Sequence, residues 1–105
     1  MIARIWRGVV AAEHADVYAD YIRDTGFRAY GETPGNRGAW LLRRDEGKLT
    51  EFVTYSLWES LDAIRAFAGE DFETAVYYPD DDRYLVERDE TVSHLEVADA
   101  IEPPR

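Results

Sequence analysis

The 105-residue sequence predicts an α+β fold of the ferredoxin-like, split-βαβ kind, a β-α-β-β-α-β chain forming an antiparallel sheet with its helices on one face. Three observations carry this expectation. Apolar residues alternate with period two in four stretches, they recur at helical spacing in two others, and these stretches follow one another in the split-βαβ order.

The first stretch, IARIWRGVVA over residues 2–11, is rich in β-branched residues and reads as a strand. Its faces are Ile2, Arg4, Trp6, Gly8, Val10 and Ala3, Ile5, Arg7, Val9; neither is cleanly polar, so both are expected to be covered. From Glu13 to Thr25 the apolar Val17, Tyr18, Tyr21 and Ile22 oppose Asp16, Asp20, Arg23 and Asp24, an amphipathic helix with Gly26 as its stop. RAYGETPGNRG then predicts a loop long enough to serve as a rim or lid.

A hairpin follows, with strands Ala39 to Arg44 and Leu49 to Trp58 around a turn at Asp45-Glu46-Gly47. On its second strand Phe52, Thr54, Ser56 and Trp58 share one face. Ser60 is a good N-cap for a second helix that buries Leu61, Ile64, Phe67 and Ala68 and ends at Gly69. Asp71 to Val76 reads as a further helical turn, and Pro79 with the three aspartates behind it as the first turn of a short helix. TVSHLEVA supplies the last strand. Residues 1–99 are thus expected to form one domain and residues 100–105, AIEPPR, a flexible tail.

Composition removes several functions. Without cysteine there is no disulfide framework, thiolate metal site or thiol nucleophile. No apolar run reaches the length of a membrane span, and MIARIWR lacks the apolar segment of a signal peptide, so a soluble, cytoplasmic protein is expected. Residues 1–69 hold 10 acids against 9 bases and residues 70–105 hold 12 against 3, which places nearly all of the net charge of -10 in the last third. So acidic a surface repels phosphate backbones, and nucleic acid is not an expected partner. The outer face of the sheet also carries Leu, Val and Tyr residues, which predicts a homodimer with two sheets facing each other.

Chemistry concentrates in FAGEDFETAVYYPDDDRYL, residues 67–85. Adjacent side chains diverge, and Asp80, Asp81 and Asp82 lack the alternation, turn glycine and distal glutamate of a calcium loop, so no metal site is expected. The aromatics Phe67, Phe72, Tyr77 and Tyr78 read instead as a pocket wall opposite Trp58, with Thr54 and Ser56 offering hydroxyls. Trp6 either lines this space or fills the core, and Gly8 leaves room beside it. His94 is the best general base by pKa, while His14 faces water. Arg4, Arg7, Arg43 and Arg44 could hold an anion, but surface ion pairing is the expected use. GETPGNRG has neither a dinucleotide fingerprint nor a phosphate-loop lysine, so flavin, NAD and ATP are not supported.

Taken together, VTYSLWESLDAIRAFAGEDFETAVYYPDDDRYL and the later VSHLEV resemble the antibiotic biosynthesis monooxygenase superfamily over residues 2–98. The resemblance implies a dimeric α+β barrel, with a small-molecule pocket in each subunit between sheet and helices. Its members include oxygenases of polycyclic aromatic or quinol compounds that use neither metal nor flavin, and haem degraders. The haem-degrading pattern has an asparagine on the first strand, a tryptophan ending the third and an axial histidine near the second helix. Here Trp58 matches the tryptophan, but the other positions fall at or beside Trp6 and at Tyr77 or Tyr78. A tyrosinate can ligate haem iron. The expectation is therefore a cofactor-independent monooxygenase acting on a small aromatic, phenolic or quinol-like compound. His94 and Trp58 are its catalytic residues, and Trp6, Thr54, Ser56, Phe67, Phe72, Tyr77 and Tyr78 bind the substrate. A non-catalytic small-molecule binder and a haem-binding or haem-degrading protein are the alternatives.

Overall fold

The computed structural model describes residues 1–101, and within them the alternation of the first stretch becomes β1 (Ile2–Ala11). A 3₁₀ turn, Ala12–His14, leads into α1 (Ala15–Ile22), a π-helical turn (Arg23–Phe27) and α2 (Arg28–Glu32). Then come β2 (Asn36–Glu46), β3 (Leu49–Trp58), α3 (Leu61–Ala68), α4 (Asp81–Tyr84), β4 (Leu85–Arg88) and β5 (Ser93–Glu96). This is the ferredoxin-like α+β fold, an antiparallel sheet with helices on one face. No helix among the described residues is long and apolar enough to cross a membrane.

β1 is central. One edge pairs with β3 from Ile2 opposite Trp58 to Ala11 opposite Leu49. The other edge is shared, β5 taking Ile2 to Ile5 and β4 taking Gly8 to Val10 across a register shift. β2 closes the far side of β3, and Gly47, with φ of 63°, makes the tight hairpin turn with Lys48. Period two is plain on β3: Thr50, Phe52, Thr54, Ser56 and Trp58 are buried under the helices, while every residue between them keeps some exposure. Burying a side chain such as Phe52 is worth about 1.5–3 kcal/mol, so this alternation fixes the strand's register.

Four expectations need correction. The first helix does not stop at Gly26. The π turn absorbs that glycine, the Thr25 hydroxyl donates to the Tyr21 carbonyl at 2.7 Å, and helix continues to Glu32, because Phe27 and Tyr30 supply apolar anchors to bury. Most of the expected lid RAYGETPGNRG is therefore helix or strand. Residues 71–76 are not helical. They run alongside residues 90–92, with the Ala75 and Val92 amides donating to the Glu90 and Glu73 carbonyls. The single last strand is two short ones, of which β4 was not expected. Val17 and Leu61, assigned to buried stripes, are exposed, whereas Tyr18, Ile22 and Ile64 are buried. Ser60 does cap α3, accepting from the Ala63 amide at 3.2 Å. Of the expected tail, residues 102–105 lie outside the described residues.

The core divides into two clusters. One gathers Trp6, Val10, Tyr18, Ile22 and Phe52, the other Tyr30, Trp58 and Ile64, and Phe27 packs against both. Register explains the division. Between the cross-strand pairs Gly8–Phe52 and Ile2–Trp58 lie Trp6–Thr54 and Arg4–Ser56, and β5 sets His94 beside Arg4. A polar row, His94, Arg4, Ser56, thus crosses the sheet face between the two apolar clusters.

Candidate functional site

Where the two clusters meet, a cleft opens between sheet and helices, about 490 Å³ counted with its open mouth. Arg4, Trp6 and Thr54 form its floor. Tyr18 and Ile22 of α1, Thr25, Gly26 and Phe27 of the π turn, and Tyr30 of α2 make one wall. Opposite stand Phe67, Val76, Tyr77, Tyr78, Asp81 and Val92. The π turn matters here because its wider, i→i+5 bonded loop inserts a residue into the helix and so changes the direction in which the following Phe27 and Tyr30, both of which line the cleft, leave the axis.

Arg4 is 3% exposed. Its Nη1 donates to the Phe72 carbonyl and to His94 Nε2 at 3.0 Å, and its Nη2 reaches the Thr74 carbonyl at 3.4 Å. Its guanidinium also lies 5.7 Å from the centre of the Phe67 ring. A guanidinium can only donate, so His94 Nε2 is an acceptor and the imidazole is neutral, with its proton on Nδ1. Burial, and then the Arg4 charge, lower the His94 pKa, in agreement with that tautomer. Burial likewise lowers the Arg4 pKa, yet an arginine stays cationic at any physiological pH.

Asp81 is the cleft's carboxylate. It is buried, accepts from the Tyr18 hydroxyl at 2.7 Å through Oδ1, and accepts from the Tyr78 amide at 2.7 Å through Oδ2. Burial, then Asp81, drives the Tyr18 pKa well above the usual tyrosine value, so Tyr18 remains a donor. Asp80 and Asp82 turn elsewhere, towards Arg83 and Arg88. Desolvation also raises the pKa of Tyr30, against the pull of the Thr54 hydroxyl, the Arg4 charge and the Ser56 hydroxyl. Tyr77 and Tyr78 shift upward for the same first cause. Trp6 Nε1 donates to the Tyr77 hydroxyl at 2.9 Å, which fixes these two rings edge to face.

Of the residues singled out from sequence, Trp6, Thr54, Phe67, Tyr77 and Tyr78 line the cleft. Trp58 and Ser56 do not; Trp58 is fully buried behind Tyr30 and donates from Nε1 to Ser56 Oγ at 2.9 Å. Phe72 and His94 pack on each other outside it, 5.4 Å between ring centres, and each accepts a hydrogen bond from Arg4, Phe72 through its carbonyl and His94 through Nε2. Gly8 leaves no room for a ligand, because the Trp6 ring fills the space beside it. Tyr30 and Phe27 were missed because Gly26 reads as a stop, and Asp81 because it sits among solvated aspartates. Arg4 had a signal: it shares the alternation of Trp6 and Val10, the buried face of β1.

No protein-family model matches the sequence, and no curated protein is recognisably similar to it. Solved structures are similar in fold. A candidate antibiotic biosynthesis monooxygenase from Bacillus cereus superposes with a TM-score of 0.68 at 13% identity, over 99% of this chain and 97% of that one. A NIPSNAP domain protein from Burkholderia xenovorans gives 0.63 at 18%, over 99% and 100%. The haem-degrader MhuD from Mycobacterium tuberculosis, solved with two haems in its active site, gives 0.59 at 20%, over 97% and 100%. At such identities the likeness establishes the fold, and the chemistry has to be argued from the cleft.

Proposed function

We propose that this protein is a cofactor-independent monooxygenase acting on a small aromatic, phenolic or quinol-like compound, and that it works as a homodimer. The observation that carries the reading is an aromatic-walled cleft with a buried cation, Arg4, in its floor and a buried carboxylate, Asp81, in its wall. Rings of Trp6, Tyr30 and Phe67 desolvate and orient a flat substrate. Arg4 and the Tyr30 hydroxyl favour its anion. Asp81 takes the proton, since each of its oxygens accepts one hydrogen bond and has a second lone pair to offer. The electron-rich anion then passes one electron to dioxygen, the radical pair joins as a carbon–oxygen bond, and the hydroperoxide loses water. For an activated methylene the sum is that the methylene and one dioxygen become a carbonyl and one water, with the substrate supplying all the electrons. His94 and Trp58 act from behind the cleft, by holding Arg4 and by backing Tyr30.

A haem is the other group that this fold holds elsewhere. The residues here do not fit its iron: neither histidine lines the cleft, the His94 lone pair is engaged by Arg4, and burial makes Tyr77 and Tyr78 hold their protons more tightly. Titration with hemin is expected to give no Soret band that Tyr77→Phe or Tyr78→Phe alters.

Oxygen-electrode traces over a panel of anthrones, naphthols and quinols test the main reading. Uptake is expected with at least one of them, and Asp81→Asn should lower kcat about 100-fold or more while binding persists. Retained binding with no uptake across the panel would make the protein a binder rather than an oxygenase.

A further inference from the structure

Building on the reading of the cleft as a site for an aromatic anion, we infer that its substrate is an aromatic carboxylate whose carboxylate seats on the Nε edge of Arg4, and that His94 positions this guanidinium. Every other arginine among the described residues has a carboxylate within 4.0 Å, in a chain with 22 acidic residues. Arg4, the most deeply buried of them, has none; its three partners, Phe72 O, Thr74 O and His94 Nε2, are all neutral. A buried cation without a counter-charge is costly, and a ligand that supplies one gains that energy on binding.

The shape of the vacancy points to a carboxylate rather than a single-oxygen anion. Both Nη1 hydrogens have acceptors, while Nη2 has one long bond and Nε has none among the described residues, although no buried nitrogen or oxygen is left sealed away without a partner. Nε is thus the guanidinium nitrogen that no acceptor among the described residues engages, in a residue that lines the cleft. The edge that Nε shares with Nη2 is the fork a carboxylate grips with both oxygens. Rings of Tyr30, Phe67 and Trp6 beside it suit an aromatic body. The net charge of -10 does not oppose this, because exposed charges are largely screened beyond about 8 Å at physiological salt, whereas a buried contact is not. His94 enters because its Nε2 accepts from Nη1 and so fixes the plane of the guanidinium without occupying the Nε edge.

Calorimetric titration of the wild-type protein with naphthoate and with naphthamide, its uncharged counterpart, tests the inference. Naphthoate is expected to bind about tenfold tighter or better, and to move the Arg4 Nε–H resonance of nitrogen-15-labelled protein where naphthamide does not. Arg4→Met and Arg4→Lys should both erase the preference, the lysine because it lacks the fork. His94→Leu should weaken it and His94→Gln, which keeps an acceptor, should restore it. Equal affinities, binding of neither compound at millimolar concentration, or a preference that survives Arg4→Met would overturn it. If Arg4→Met fails to fold, the wild-type pair and the Nε resonance decide alone. Tetrapyrrole propionates are a second source of the same group, so metal-free protoporphyrin IX forms a third arm; tighter binding of it than of naphthoate, lost in Arg4→Lys, overturns the assignment to a small aromatic acid. Oxygen uptake on neutral naphthols with equal affinities would sink this inference and leave the oxygenase reading standing. The carboxylate preference without any uptake would do the reverse.

Discussion

Gly8 and Trp6 lie two residues apart on one face of β1, and the indole folds back over the glycine. A Cβ at Gly8 would stand 2.7 Å from Trp6 Cζ2 and 2.8 Å from Leu85 Cδ2, closer than packed atoms allow. Gly8→Ala should therefore lower stability by about 1–3 kcal/mol, read as a reduced urea midpoint, and should break the Trp6–Tyr77 hydrogen bond, read as a shift in indole fluorescence. Sequence alternation shows that Gly8, Trp6 and Arg4 share a face, but not that one side chain consumes the space beside another. It likewise puts His94 on a strand without revealing its partner. Because burial and Arg4 depress the His94 pKa below 6.5, with Glu73 opposing, the unfolded chain takes up that proton first as pH falls. Its contribution to stability is complete above about pH 6.5 and is lost as pH drops through the lower folded value. Wild type should thus lose more stability than His94→Gln between about pH 7 and about pH 5, measured by urea titration.

At the scale of elements, the legible parts are those whose own residues decide them: the alternation of β1 and β3, the Ser60 cap and the hairpin glycine. The parts that escape are decided by distant partners. Gly26 is a poor helix former, yet the helix runs through it because Phe27 and Tyr30 beyond it bury against two clusters, and no local pattern reports that gain. Residues 71–76 carry acids and apolar residues at near-helical spacing, but their amides and carbonyls pair with residues 90–92, a contact set by the sheet edge. The π turn invites a direct test. Deleting Thr25 would restore an ordinary helix and turn every later helical residue by about 100°, carrying Phe27 and Tyr30 off the cleft. The expected outcome is a protein with nearly unchanged far-ultraviolet circular dichroism that no longer binds naphthol. Retained affinity would show that the wall does not depend on the π geometry.

The whole molecule is a slab 36 × 36 × 21 Å, thick enough for one sheet and one helical layer, and none of the described residues covers the second face of the sheet. That face carries Trp40, Leu42, Leu49 and Leu95, each 45–54% exposed, with half-buried Ile5, Val53, Tyr55 and Leu57 between them. Edge-to-face packing of Trp40 on Tyr55, 5.8 Å between ring centres, organises these residues into a surface rather than a scatter. Contiguous apolar ground of this kind is what a soluble monomer avoids and what an obligate interface uses. On the proposed pairing, a two-fold axis sets the same patch against itself, so its apolar rows meet each other while the ion-paired Arg7, Arg44 and Glu51 lie among them already neutralised. A charge placed in the patch is repeated by the symmetry and meets apolar partners on both sides. Leu42→Asp should consequently convert a particle of twice the 12.1 kDa chain mass into one of the chain mass in light scattering at micromolar concentration. Since Leu42 is on the opposite face from the cleft, the monomer's affinity for naphthol, measured separately, tells whether the site is complete within one chain. A wild-type protein that scatters as 12.1 kDa would end the dimer proposal without touching the cleft.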